Sequence, residues 1–230
     1  MQEYLPPAPA RVLDVGGGPG RYCIALAQLG YRVTLLDLSP GLLDFARSKV
    51  AEAGVALEGI LHGNALDLRP LPVESFDAVL LMGPLYHLLD EGDRRQALRE
   101  AHRVLKPGGM LAATFISRFA TLRAHTPRWL IDHAPEVIRE METGRRRDLG
   151  RGFTDAYCAH PTDVRPLLEG AGFRFADMIG TEGLRYETEC DTSLLTGADW
   201  DTWVDLSYRL AREPTILGAN LHLLAIARKE

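Results

Sequence analysis

The sequence predicts an α/β protein: a doubly wound, mostly parallel sheet of seven strands, with helices on both faces and two helical insertions. Three observations carry this. Short apolar runs alternate with stretches of helical spacing along the chain, the pattern of parallel strands joined by crossover helices. The first run passes straight into glycines, Gly16-Gly17-Gly18-Pro19-Gly20, ahead of a helical stretch. Hydrophobic residues make up 46% of 230 residues, enough to bury one core with insertions.

Each element has its own local reason. Arg11 to Val15 is a β-branched apolar strand, and Arg21 to Gly30 places Tyr22, Ala25, Leu26 and Leu29 at helical spacing. Val33 to Asp37 is the second strand. A helix from about Pro40 to Ala53 starts with Ser39 as its cap. A third strand lies near Leu57 to Gly63, and Ser75 to Met82 is a central fourth strand. A helix from about Asp93 to Leu105 leads through Lys106-Pro107-Gly108-Gly109 into a fifth strand that begins at Met110 and ends near Ser117. Arg118 to Gly150 is rich in Arg, His and Trp with helical spacing, too long for an ordinary connection. It reads as a helical lid. Pro161 to Ala171 is a helix stopped by Gly172, followed by a strand from Phe173 to Thr181. A second insertion, Glu182 to Gly218, carries Trp200, Trp203, Leu206 and Leu210 at helical spacing before a last strand, Ala219 to Arg228. No repeat or linker interrupts this order, so one domain is expected from residue 1 to residue 230.

Composition excludes several classes. No apolar run approaches membrane-spanning length, and the start, Met1-Gln2-Glu3-Tyr4-Leu5-Pro6-Pro7, lacks the basic and apolar segments of a signal peptide. A cytoplasmic protein is expected. Cys23, Cys158 and Cys190 are far apart, without metal or redox spacing, and are read as reduced, with Cys23 buried. No set of histidines and acids has metal-ligand spacing. A net charge of −5 argues against a long phosphate-binding surface. The basic run Arg145-Arg146-Arg147 reads as a solvated helix end, with a contact to an acidic substrate as the other option.

The glycine turn carries the functional signal. Glycine permits positive φ and leaves no Cβ in the way, so a ligand can press on the main chain beside the free N–H groups of a helix start. A dinucleotide fingerprint counted from Gly16 and Gly18 needs glycine at position 21, where Arg21 stands. The pattern is instead Asp-x-Gly-x-Gly-x-Gly from Asp14 to Gly20. It resembles motif I of the class I S-adenosylmethionine (SAM)-dependent methyltransferases, and the ending Glu213 to Leu224 looks like the last strand of bacterial members of unassigned substrate, relatives of the quinone-biosynthesis type among them. Further stretches follow in the family's order: Val33-Thr34-Leu35-Leu36-Asp37, His62-Gly63-Asn64-Ala65, Ser75 to Met82 with Gly83-Pro84-Leu85-Tyr86-His87, and Arg103 to Gly109.

The resemblance implies a Rossmann-like fold and a SAM site built from Asp14, Gly16, Gly17, Gly18, Gly20, Asp37, Leu38, Asn64, Ala65, Met82 and Gly83. Asp37 stands where a carboxylate accepts the ribose hydroxyls, with capping of the next helix as its other reading. Asp14 supports either the cofactor or the local backbone, and Leu38 packs on the adenine or on the core. Asn64 replaces the family's usual aspartate, yet an amide still hydrogen-bonds an adenine edge. The product would be S-adenosylhomocysteine (SAH). Only about ten residues precede the first strand, where many relatives carry a covering helix. A homodimer partner would supply that cover, or the chain begins late.

The acceptor is expected beneath the lid, beside the loop Gly83 to His87. Methyl transfer depends mainly on in-line orientation, while a hydroxyl or ammonium acceptor must also lose a proton. His87 is the first base candidate and His160 the second, Tyr86 orienting or stacking on the acceptor. Their structural readings are a hydrogen-bonded His87 and a His160 that begins the helix at Pro161. His222 is read as a satisfied core residue, and Trp129, Tyr157, Tyr186, Trp200 and Trp203 as packing residues. Met82-Gly83-Pro84-Leu85-Tyr86 lacks the first polar residue and the second proline of the Asn/Asp-Pro-Pro-Tyr signature, and no cysteine follows a proline. A small-molecule acceptor methylated on O or N is the leading expectation. The alternatives are a tRNA or rRNA methyltransferase and a SAM-binding sensor or scaffold without turnover.

Overall fold

The computed structural model describes residues 2–148, 154–182 and 195–230. In chain order the elements are β1 (Arg11–Val15), α1 (Arg21–Gln28), β2 (Arg32–Asp37), α2 (Pro40–Glu52), β3 (Gly59–His62), β4 (Phe76–Leu81), α3 (Pro84–His87), α4 (Glu91–Val104) and β5 (Leu105–Ser117). Then follow α5 (Ala120–Ala124), α6 (Pro127–Asp132), α7 (Ala134–Thr143), β6 (Arg145–Arg146), β7 (Ala156–Ala159) and α8 (Pro161–Glu169). The last are β8 (Phe173–Gly180), α9 (Gly197–Leu210), α10 (Pro214–Leu217) and β9 (His222–Lys229). Tyr186 and Cys190 lie outside the described residues, as do parts of both expected insertions.

The chain forms two compact units. The first comprises Met1–Thr114, Arg165–Asp177 and Ala225–Glu230, and the second Phe115–Val164 and Met178–Leu224. Both stretches expected as insertions, 118–150 and 182–218, fall within the second unit.

In the first unit β1 runs parallel to β2 on one side and to β4 on the other, β3 lies beyond β2, and β5 lies beyond β4. The order in which strands are added thus reverses at β1, and the ends of β1 and β4 flank a topological switch point, where open α/β sheets bind ligands. Burial explains the order. The β1, β2 and β4 strands are buried almost end to end, as apolar runs covered on two faces should be, whereas the edge strand β3 leaves Leu61 and His62 exposed. Ser39 caps α2, its hydroxyl accepting from the Leu42 N–H, with Pro40 in the first turn. Asp90 caps α4 through the Gly92 N–H at 2.7 Å.

Among the described residues the sheet has nine strands, two more than expected. The additions are β6 and β7. Residues 118–150 are therefore not all helical: Arg145 and Arg146 pair antiparallel with Tyr157 and Ala156, and β7 runs parallel to the end of β5. The β5 strand starts at Leu105 rather than Met110, because Phe76 of β4 pairs with Leu105 across a register shift. In the second unit α9 buries no residue. Trp200 is exposed rather than packed, and with Trp203 and Tyr208 it lines a cavity of about 470 Å³.

Leu80 lies fully buried in β4. Replacing it by alanine is expected to lower the unfolding free energy by about 2–5 kcal/mol, from lost burial plus the cavity left behind. Urea denaturation should show a lower midpoint with an unchanged slope.

Candidate functional site

The switch point is built first from main chain. The Gly16 N–H donates to the Leu36 carbonyl at 2.7 Å and the Gly20 N–H to the Gly17 carbonyl at 3.0 Å, so the turn after β1 is tied to the end of β2 and closed on itself. Gly16 has φ +71°, and a Cβ there would stand 2.7 Å from Cγ of Pro84, so the turn presses directly on the start of α3. Gly18 has φ +53°, and the nearest atom to its absent Cβ is Cδ1 of Leu42 at 3.9 Å. This is the open face of the turn.

Asp37 ends β2 and is 8% exposed. Its Oδ2 accepts the Gly18 N–H at 2.8 Å and its Oδ1 the Ser39 N–H at 2.8 Å. A carboxylate has about four lone-pair sites, so each oxygen keeps one for a ligand. Ser39, not Asp37, supplies the side-chain cap of α2. Leu38 is 64% exposed, which removes its core reading and leaves an apolar wall beside the carboxylate. Beyond β3, Asn64 is exposed, and its Oδ1 accepts the Leu66 N–H at 3.0 Å, while Ala65 is buried.

The opposite wall follows β4. Gly83 to His87, expected as a loop, is a short helix with Gly83 at its N-cap and Pro84 in its first turn. A Cβ on Gly83 would lie 3.4 Å from the Gly16 carbonyl oxygen and 3.8 Å from the Tyr86 hydroxyl. The Tyr86 pKa is raised, by burial and then by Tyr22, so the phenol keeps its proton at neutral pH. The His87 ring is 4.7 Å from that of Tyr86, and partial burial lowers its pKa. It is a neutral imidazole at pH 7.

Comparison with known proteins gives the chemistry. A family model described as a methyltransferase domain matches residues 13–113. The chain is 40% identical over 180 residues to the ubiquinone biosynthesis O-methyltransferase of Xanthomonas axonopodis pv. citri, covering 78% of this chain and 69% of that protein. The chain belongs to the class I SAM-dependent methyltransferases. A lower identity, 28% over 223 residues, relates this methyltransferase to the tRNA 5-carboxymethoxyuridine methyltransferase of Escherichia coli O157:H7, covering 95% of this chain and 80% of that one. In fold it is similar to a SAM-dependent methyltransferase from Methanosarcina mazei, with a TM-score of 0.68 at 21% identity over 99% of this chain and 95% of that one. Its cofactor is SAM. The open main chain at Gly18, the spare lone pairs of Asp37 and the apolar Leu38 beside them fit a ribose and its adenine.

The structure corrects several expected roles in this methyltransferase. Asp14 is 1% exposed and lies under the turn: a Cβ on Gly17 would meet its Oδ2 at 2.5 Å. It therefore supports the turn from below, accepting the Cys23 thiol at 3.2 Å, and does not face the crevice. Burial pushes its pKa up to about 6, the Cys23 bond lowers it and the charge of Asp37 raises it. Burial, then Asp14, pushes the Cys23 thiol pKa up, so this cysteine is an inert donor. His160 belongs to the second unit, where its Nδ1 lies 2.7 Å from the Thr162 hydroxyl and its ring meets Phe119 edge-on. These contacts fit its helix-start reading.

His222 is not a core residue. Its side chain is 41% exposed and its Nδ1 lies 2.7 Å from Glu182. Burial raises the Glu182 pKa, but bonds from the His222 ring and backbone and from Thr181 bring it below the ordinary value. Sequence reading missed this pair because 40 residues separate its members. Arg146 is no solvated helix end either: it donates to Glu140 and Thr121 inside the second unit.

The raised pKa of Asp14 sets a pH dependence. Its folded value of about 6 exceeds the ordinary 3.8, so its contribution is fully present below pH 4 and is lost as pH rises through 6. Asp14→Asn keeps an acceptor for Cys23 without the charge. The variant's stability relative to the parent is expected to grow by about 3 kcal/mol between pH 4 and pH 7. Paired urea titrations across that range check this, and a constant difference would contradict it.

Proposed function

We propose that this methyltransferase acts on a ring hydroxyl of a quinone-type small molecule, with SAM held by Gly16, Gly17, Gly18, Gly20, Asp37, Leu38, Asn64, Ala65, Met82 and Gly83. The carrying observation is the Asp37 carboxylate, fixed by the Gly18 and Ser39 amides next to a turn that leaves Gly18 open. The acceptor class is supported by the ubiquinone biosynthesis O-methyltransferase to which the chain is 40% identical.

Bound there, SAM supplies an electrophilic methyl group and leaves as SAH. The protein's part is orientation and proton removal. Holding the acceptor oxygen in line can remove about 7–11 kcal/mol of the barrier. His87, neutral at pH 7 because partial burial lowers its pKa, accepts the proton that the hydroxyl gives up and passes it to water. Tyr86, kept protonated, donates a hydrogen bond that orients the acceptor. Asp14 enters only by holding the turn.

A second reading, a tRNA acceptor, has one observation in its favour: the tRNA methyltransferase relative aligns with 95% of the chain. RNA binding that weakens steeply with salt would favour it.

Asp37→Ala is expected to weaken SAH binding by about 10- to 100-fold, since hydrogen bonds to a charged group contribute roughly 1.5–3 kcal/mol. Titration calorimetry measures this, and unchanged affinity would remove the cofactor assignment. His87→Gln should leave SAH affinity unchanged and lower kcat on a catechol or hydroxyquinol acceptor by about 10²- to 10⁴-fold at neutral pH. A variant as fast as the parent across the pH range would exclude His87 as the base.

A further inference from the structure

The second unit holds a polar cluster that methyl donation does not use. Glu140 is 4% exposed, and both its oxygens lie within 2.9 Å of the Thr121 hydroxyl. Arg146 donates from Nη2 to Thr121 at 2.6 Å, and from Nε and Nη2 to Glu140 at 3.2–3.3 Å. One cation therefore matches one buried carboxylate. Nη1 of Arg146 makes no hydrogen bond to a described residue, and neighbouring Arg147 has neither ion pair nor hydrogen bond among them.

These groups line a cavity of about 210 Å³. Val137 supplies an apolar wall, and His125 and Trp129 an aromatic one, their rings stacked at 3.7 Å. Glu136, Asp148 and Thr154 complete the polar lining. A cavity of about 150 Å³ suffices for benzene, so this one admits a single ring with small substituents. Guanidinium donors favour a carboxylate, and of the three carboxylates of the lining, Glu136 and Asp148 stand beside the one that Arg146 matches and favour a hydroxyl that can donate to them.

We propose that this cavity binds a one-ring hydroxyaromatic carboxylate, its carboxylate on Arg147 and Nη1 of Arg146, its hydroxyl toward Glu136 or Asp148 and its ring between Val137 and the His125–Trp129 wall. The proposal concerns binding and does not depend on methyl transfer. The source of the ring, methyl acceptor or effector, is separated by the same experiment.

The full chain is titrated with 4-hydroxybenzoate by calorimetry, with 4-hydroxybenzyl alcohol as the uncharged control. One saturable site is expected, weakened roughly ten-fold in Arg147→Gln, while the alcohol binds more weakly and is indifferent to that change. Arg147 is exposed, so the variant should fold as the parent does, and Val137→Phe, which fills the cavity, should abolish binding. Absence of saturable binding to folded protein overturns the proposal, as does equal binding by parent and both variants. With SAM present, a methylated ring marks the bound ligand as acceptor and an unchanged ring marks it as effector. Protein that binds SAH but not hydroxybenzoate would overturn the cavity assignment alone.

Discussion

The Gly18 N–H to Asp37 hydrogen bond, 2.8 Å long and buried, is the contact around which the first unit is arranged. It joins the turn after β1 to the end of β2, and the bond from Gly16 to the Leu36 carbonyl repeats the link two residues earlier. With β1 held to β2 on one side, its other side is free to pair with β4. The same turn then meets Pro84 so closely that only glycine fits at position 16. One short loop thus sets the distance between both walls of the crevice.

Two carboxylates serve this turn in opposite ways. Asp37 is bound by two amides, which leave each oxygen a lone pair for a ligand. Asp14 has a weak thiol donor and complete burial, so ionisation is costly there and its pKa rises. The charge at one position opposes charge at the other. The two carboxylates thus have different parts: Asp37 presents its oxygens toward the crevice, and Asp14 holds the turn from below.

Legibility in the sequence followed the range of each interaction. The β1, β2 and β4 strands are contiguous apolar runs, and Ser39-Pro40 and the glycine turn act through neighbouring residues, so all were readable. The α3 helix was missed although Pro84 in its first turn is a local start signal. The β6 strand could not be read, since two arginines carry no periodicity and their pairing depends on Tyr157 and Ala156. The inward course of Arg146 depends on Glu140 and Thr121, and Glu182 meets His222 across 40 residues. Asp14 shows the other limit: its place in the motif names a functional position, but only burial shows that it acts from beneath.

The same contrast explains why the methyl donor is easier to identify than the acceptor. Much of the crevice after β1 is main chain: the Gly16 amide is tied to the Leu36 carbonyl, and the Gly18 and Ser39 amides hold the one carboxylate, Asp37. Main chain tolerates few sequences where φ is positive and contacts are close, so such a site leaves a compact signature. The second unit's polar features depend instead on side chains, as the Thr121–Glu140–Arg146 cluster and the His125–Trp129 stack illustrate. Any residue of similar charge or ring can enter such a cluster from a distant position. Such clusters are therefore written in pairs that only folding brings together, while the turn after β1 is written in a single run of glycines.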